Sequence, residues 1–237
     1  MRFQPRHTLP RGYNIGQLST AVAALISVAA LIGCGDSPGE QEMQVGEAGR
    51  SGGPASPEKP PILGTVPLFS LTNEEGFEID NVRLGGRVWI VSFIFTRCPA
   101  TCPRLSLAFA KLQKVFTNNL DFEAGRLVSI SVDPTYDTPE VLDRYARNFG
   151  ADRMKWTFLT GDRAQIWSLA KDGFKLAVSE APDTEMVIAH SQHFALVDRL
   201  GRIRGYYDGL DAQAINQLKR DFLIVRDDPG WPLKEDG

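Results

Sequence analysis

No block of basic residues interrupts this chain, and its formal charge of −3 is close to neutral. Such a surface does not suit a phosphate backbone, so nucleic acid is excluded as an expected partner. No internal repeat is evident. An apolar run of roughly 20 residues, the length a bilayer span takes, is missing near the N-terminus, where Ala21 to Gly33 supplies 13 residues broken by Ser27. Cysteine and histidine are both scarce, at three each among 237 residues. What remains is 43% hydrophobic and 23% charged, the composition of one globular domain with extensions.

Arg2, Arg6 and Arg11 precede the short apolar run, with no acidic residue among them, which is the pattern of a secretory signal. The run ends in Leu31-Ile32-Gly33-Cys34, which resembles the lipobox of bacterial lipoproteins. That resemblance implies a signal peptide over residues 1–33, cleavage before Cys34, and lipidation of Cys34. The expected product is a bacterial membrane-anchored lipoprotein with its domain facing the periplasm or extracytoplasmic space. Losing three arginines takes 26 basic residues to 23 against 29 acidic ones, a charge of about −6. Only Cys98 and Cys102 would then remain as thiols. Outside the cytoplasm such an isolated pair oxidises unless a reductant or a metal keeps it open.

From Gly35 to Pro61 the chain is rich in glycine, proline, serine and glutamate and lacks aromatics. It cannot bury enough surface to order itself, so residues 34–61 are expected to be a lipidated cysteine and a flexible tether. A coil of some 26 residues spans about 25–30 Å. Residues 62–237 are expected to form one domain. Leu68–Leu71 and Phe77–Val82 flank Asn73-Glu74-Glu75-Gly76, a hairpin signal. Arg87–Phe95 is a β-branched and aromatic run suited to a strand buried on both faces. Leu105, Phe109, Leu112 and Phe116 follow at helical spacing. A second buried strand is expected over Leu127–Val132, and a helix opens at Asp137-Thr138-Pro139-Glu140 with capping residue, proline and early acid. Further elements are a strand over Met154–Leu159, a helix over Ala164–Lys171, a hairpin of Phe194–Asp198 with Ile203–Tyr207, and a closing helix over Ala212–Val225. The pattern predicts an α/β, thioredoxin-like fold: a mixed central sheet flanked by helices, with an N-terminal β-hairpin.

Chemistry concentrates at Cys98-Pro99-Ala100-Thr101-Cys102. A buried strand delivers this loop to a helix start, where unpaired N–H groups and the helix dipole favour anions. Arg97 and Arg104 flank the pair, and the combination favours thiolate, which is both nucleophile and metal ligand. Three readings stay open on these residues: a structural disulfide, a dithiol–disulfide redox centre with Cys98 and Cys102 catalytic, and a metal site. A disulfide here would close a very small loop and stabilise little. A metal site needs a third ligand, for which His190 and His193 are the candidates in the mature chain. Two thiolates and an imidazole would form a soft set suited to copper in either oxidation state.

The run Phe93-Ile94-Phe95-Thr96-Arg97-Cys98-Pro99-Ala100-Thr101-Cys102-Pro103 closely resembles the SCO/SenC family of copper chaperones for cytochrome c oxidase. Ser131-Val132-Asp133-Pro134 with Asp137-Thr138-Pro139-Glu140, then Trp156 with Leu159-Thr160-Gly161, then His190-Ser191 with Val197-Asp198 and Gly201 resemble its later signatures in order. The resemblance spans about residues 62–225. It implies copper, Cu(I) or Cu(II), held by Cys98, Cys102 and His190, with a Cys98–Cys102 disulfide in the oxidised form. It selects His190 over His193, and it implies a metallochaperone for the CuA centre, partnered by the oxidase's CuA subunit and a periplasmic copper donor. A classical enzyme is not expected; the alternative is a thiol–disulfide reductase that keeps a copper protein's cysteines reduced. One position departs from the family pattern: Ala189 stands where an acidic residue often precedes the ligand histidine. Asp133 is a candidate to supply an acid from another loop, whereas Asp137 reads as a turn and helix cap.

Overall fold

The computed structural model describes residues 58–119, 125–180, 187–189 and 191–228. The proposed signal, Cys34, nearly all of the tether and His190 lie outside the described residues. At the centre is β4 (Val88–Ile94), whose seven residues are all buried, as a run of β-branched and aromatic side chains demands. It pairs in parallel with β5 (Gly125–Ser131), and β5 in parallel with β6 (Trp156–Thr160). On its other edge β4 meets β9 (His193–Val197) antiparallel, and β9 forms a hairpin with β10 (Arg202–Asp208). The short β1 (Gly64–Thr65) closes that side. On the far side β6 pairs with β2 (Ser70–Asn73), which turns back into β3 (Glu78–Asp80). The result is a mixed eight-stranded sheet in the order β1-β10-β9-β4-β5-β6-β2-β3, beside a two-stranded ribbon of β7 (Val178–Glu180) and β8 (Val187–Ala189).

Alternation along the strands sorts the core into two layers. Ile90, Leu127 and Trp156 stand opposite each other in register, and Phe158 and Phe194, two residues along their strands, share the same face. There Phe109 of α2 (Thr101–Asn119) lies 4.4 Å from the Phe194 ring and 5.6 Å from Trp156. Tyr145 of α3 (Pro139–Asn148) packs edge-on to Phe158, and Phe222 of α5 (Ala212–Arg226) stacks on Phe116 at 4.6 Å. The opposite face carries Trp89 and Phe93, which Phe174 meets at 6.1 and 5.3 Å, while Phe69 covers Trp89.

The N-terminal hairpin forms where its turn residues place it. Asn73 Oδ1 accepts the N–H groups of Glu75 and Phe77, and Gly76 takes φ 84°, a value that favours glycine. Glu74 then turns inward, accepts from Phe158 N at 2.8 Å and docks the hairpin on β6. Several elements differ from expectation. The helix over 164–171 is α4 (Arg163–Ser168) continued by a π-helical turn, Leu169–Gly173, closed by Phe174 N to Leu169 O at 2.9 Å. The wider turn is what brings Phe174 over Trp89 and Phe93. The ribbon β7–β8, the short β1 and the one-turn α1 (Asn81–Leu84) had no sequence signal.

Gly125 begins β5 because nothing larger fits: a Cβ there would stand 2.7 Å from Cζ of Phe222. Gly125→Ala is expected to cost about 1–3 kcal/mol through overpacking, read as a lower midpoint in urea. Phe222→Leu in the same chain should recover part of the loss. Unchanged stability in Gly125→Ala would contradict this packing.

Candidate metal centre

Strand β4 ends at Ile94, and the chain turns at once into α2. Cys98 N donates to Phe95 O at 3.2 Å, which folds the loop so that Cys98 stands just before the helix and Cys102 enters it as the second residue. Cys102 continues the buried stripe of Leu105, Phe109, Leu112 and Phe116 and is only 4% exposed. Cys98 is half-buried, and both cysteines are free thiols in this structure. The N–H of Cys102 donates to Cys98 Sγ at 3.4 Å.

That arrangement separates the two thiols. Burial works against ionisation of Cys98 and is the largest single influence on it. Donors nevertheless win: the N–H groups of Cys102, Ala100 and Thr101 and the Cys102 thiol together hold Cys98 below its ordinary value. Burial dominates at Cys102 and pushes it up to about 12, helped by the Cys98 charge and opposed by the N–H of Phe95. Tyr145, whose hydroxyl lies 2.9 Å from Ser106 Oγ, is held protonated by burial, with a smaller contribution from the charge of both sulfurs.

Two expectations about charge need correction. Arg97 is not left free beside Cys98, because its guanidinium is committed to a carboxylate. It donates from Nε and Nη2 to Asp133 Oδ2 at 3.2 and 2.6 Å and lies 4.5 Å above the Tyr136 ring. Asp133 is therefore the partner of the cysteine loop's arginine. Asp137 is not the cap of α3 either. Thr138 occupies that position without a side-chain cap bond, while the fully buried Asp137 carboxylate accepts from Thr96 N at 3.0 Å, from Thr96 Oγ1 and from Ser131 Oγ. Burial raises the Asp137 carboxyl above the usual range in spite of these donors. Thr96 and Ser131 lie inside the family-like runs and Tyr136 between two of them, but nothing in the sequence marked these contacts.

Topology brings one more segment to the same place. Because β9 runs antiparallel to β4, with Val91 opposite Ala195, the start of β9 lies at the end of the sheet where β4 releases the cysteine loop. Residues 190–192 precede that start. Gln192 is fastened there, donating to Asp208 Oδ2 at 2.6 Å and accepting from Gly209 N at 2.8 Å. His193 is exposed, and its N–H is bound by Ser191 Oγ at 3.2 Å. His190 lies between β8 and Ser191, outside the described residues, and among the described residues no group of three metal-ligating side chains forms. A groove of about 440 Å³ between α2 and α5 includes neither cysteine.

This division of labour predicts two alkylation phases. In reduced protein, iodoacetamide should modify Cys98 along a titration whose midpoint lies below the ordinary 9.0, and Cys102 only as the pH approaches about 12. Asp137→Ala leaves one buried and two part-buried donors without an acceptor, an expected loss of about 2–4 kcal/mol. It should also move the Cys98 midpoint up toward the ordinary value as the loop loosens. Equal reactivity of the two thiols, or a Cys98 midpoint untouched by Asp137→Ala, would refute this arrangement.

A model of the SCO1/SenC family matches residues 60–221. The SCO1 protein homolog of Bacillus subtilis (strain 168) is 34% identical over 165 residues, covering 69% of this chain and 83% of that protein. The crystal structure of a SCO1/SenC family lipoprotein from Bacillus anthracis superposes with a TM-score of 0.63 at 32% identity, over 68% of this chain and 95% of that one. BsSco, described with a disulfide switch as a member of the Sco family of cytochrome c oxidase assembly proteins, gives 0.62 at 29% identity over 72% and 99%. The copper-bound ScoI of Bradyrhizobium japonicum shares the fold, with a TM-score of 0.56 at 23% identity over 66% and 98%. The matched span takes in the whole eight-stranded sheet and both thiols, and on that ground this chain belongs to the SCO1/SenC family.

Proposed function

We propose that this protein is a copper-binding assembly factor for cytochrome c oxidase, in which Cys98, Cys102 and His190 hold copper as cargo for the CuA centre. The observation that carries this reading is the thiol pair itself. Its two sulfurs stand at a helix start, one favoured as thiolate and one held as thiol, at the sheet end where β9 begins after Ser191 and Gln192. Paired thiolates with an imidazole form a donor set soft enough for Cu(I) and able to hold Cu(II). Family membership and the copper-bound ScoI relative support the choice of metal, and the place of BsSco among cytochrome c oxidase assembly proteins supports the oxidase as the destination.

Redox state is the switch in this proposal. The dithiol takes copper, with each sulfur giving up its proton to bind, and a Cys98–Cys102 disulfide does not. The disulfide switch described for BsSco supports it. The same split between a ready and a held thiol also suits a second reading. Cys98 would attack a partner's disulfide and Cys102 would resolve the mixed intermediate, so that the partner leaves as a dithiol and this chain as a disulfide. The lipobox supports attachment through lipidated Cys34 at the bacterial membrane, with the domain in the periplasm or extracytoplasmic space, as does the description of the Bacillus anthracis relative as a lipoprotein.

Reduced protein, kept under nitrogen, should bind about one copper per chain, and His190→Ala should weaken binding by about tenfold or more. His193→Ala should leave it unchanged, and oxidation to the disulfide should abolish it. Tight binding that survives His190→Ala would overturn the ligand set. In a strain lacking this protein, recovery of oxidase activity on adding copper supports delivery, whereas recovery only on adding a reductant supports the second reading.

A further inference from the structure

Nine large hydrophobic side chains stand exposed among the described residues, and five of them belong to one corner of the molecule. Ile62, Leu63 and Leu68 project from the strap that leads into the sheet, at 57%, 53% and 89% exposure. Val82 on α1 is 84% exposed, and Leu200 in the β9–β10 turn 47%. Backbone bonds stitch these segments together. Leu63 N donates to Ile203 O and Val66 N to Gly201 O, both at 2.8 Å, and Gly86 N donates to Arg199 O at 3.1 Å. Asn81 joins the strap to α1, accepting from Phe69 N at 2.7 Å and donating to Pro67 O at 3.1 Å. Arg83, Arg87 and the partly buried Arg199 stand beside these apolar residues in the same segments, with Asp80 capping α1. An exposed apolar cluster bordered by guanidinium groups is the composition of a surface that meets a bilayer.

Two further features of this corner favour a lipid surface as its occupant. First, the chain enters the domain here. Arg204, buried and ion-paired with Asp198 at 3.0 Å, donates to the carbonyls of Pro60 and Pro61, and Lys59 pairs with Asp228 at 2.6 Å. The entry point is thus held rigidly, and the apolar strap begins at the next residue. Second, the corner is remote from the thiols. Gly86 and Arg199 flank the start of β4, whereas Cys98 follows its end, and seven residues of strand separate them by about 23 Å.

We propose that this corner, formed by the 62–68 strap, α1 and the β9–β10 turn, rests on the membrane and turns the thiol end outward. The proposal uses the lipid-anchor reading only to bring the domain to the bilayer. The arginines would sit at the headgroup level while the leucines, isoleucine and valine enter the acyl boundary.

The test uses residues 34–237 carrying Cys34→Ala, which cannot be acylated, with vesicles of phosphatidylethanolamine and phosphatidylglycerol. Sedimentation with vesicles should be measurable, and Leu68→Asp with Val82→Asp should lower it by about tenfold or more. Leu107→Asp with Met154→Asp, at exposed positions elsewhere, should leave it unchanged, and unchanged thermal midpoints confirm that both variants fold. No sedimentation of the parent, or equal loss in both variants, would overturn the proposal. So would a lipid-free dimer that Leu68→Asp with Val82→Asp dissociates, which would assign the corner to a second copy of the chain. Mass measurement of the membrane-extracted chain reads acylation of Cys34 separately, so failure of the anchor and failure of the docking surface are distinguishable.

Discussion

A single buried carboxylate holds the thiol end of this molecule together. Asp137 sits in the loop after β5, yet all the side-chain donors it accepts belong to other segments: Thr96, at the base of the cysteine loop, and Ser131, the last residue of β5. Val132 N continues the β4–β5 ladder onto Ile94 O, so the two loops leave the sheet side by side and Asp137 ties them across that exit. Asp133 adds the Arg97 pair on the outer side, with Tyr136 under the guanidinium. A buried acid of this kind is costly unless its lone pairs are filled. That cost makes the position of the cysteine loop specific, because a displaced loop leaves the carboxylate unsatisfied.

From that anchorage follows the inequality of the two sulfurs. The loop must enter α2 at a set angle for the N–H groups of residues 100–102 to converge on Cys98. The same entry angle turns Cys102 into the core. One thiol therefore ionises more readily than an ordinary cysteine, while the other gives up its proton only when something better than water replaces it. A soft metal or an attacked disulfide both meet that requirement, which is why thiol chemistry alone does not choose between copper delivery and reduction.

Much of this fold was legible in the sequence. Burial wrote itself into the Arg87–Phe95 run and into the Leu105, Phe109, Leu112, Phe116 spacing, and the Asn73–Gly76 turn announced the first hairpin. The depth of Cys102 was not read: the helix-start argument favoured thiolate at both cysteines, whereas Cys102, three residues before Leu105, joins the buried stripe and is pushed the other way. Nor was Asp137. Its neighbours Thr138, Pro139 and Glu140 make a persuasive local cap, and the contact that wins comes from Thr96, 41 residues away in sequence. Arg97 misled for the same reason, because its partner lies 36 residues away. The π-helical turn shares its apolar spacing with an ordinary helix, and only the docking of Phe174 distinguishes them. The β7–β8 ribbon has no period strong enough to mark it. The family resemblance supplied what local pattern did not, the choice of His190 over His193.

The central claim is that copper sits between Cys98, Cys102 and His190 at the end of the sheet where Asp137 fastens the loop. X-ray absorption at the copper edge of loaded protein tests it most directly. The account predicts a shell of two sulfurs and one imidazole nitrogen, with the imidazole signal lost in His190→Ala and retained in His193→Ala. A shell without sulfur, or an imidazole that persists in His190→Ala, would contradict it.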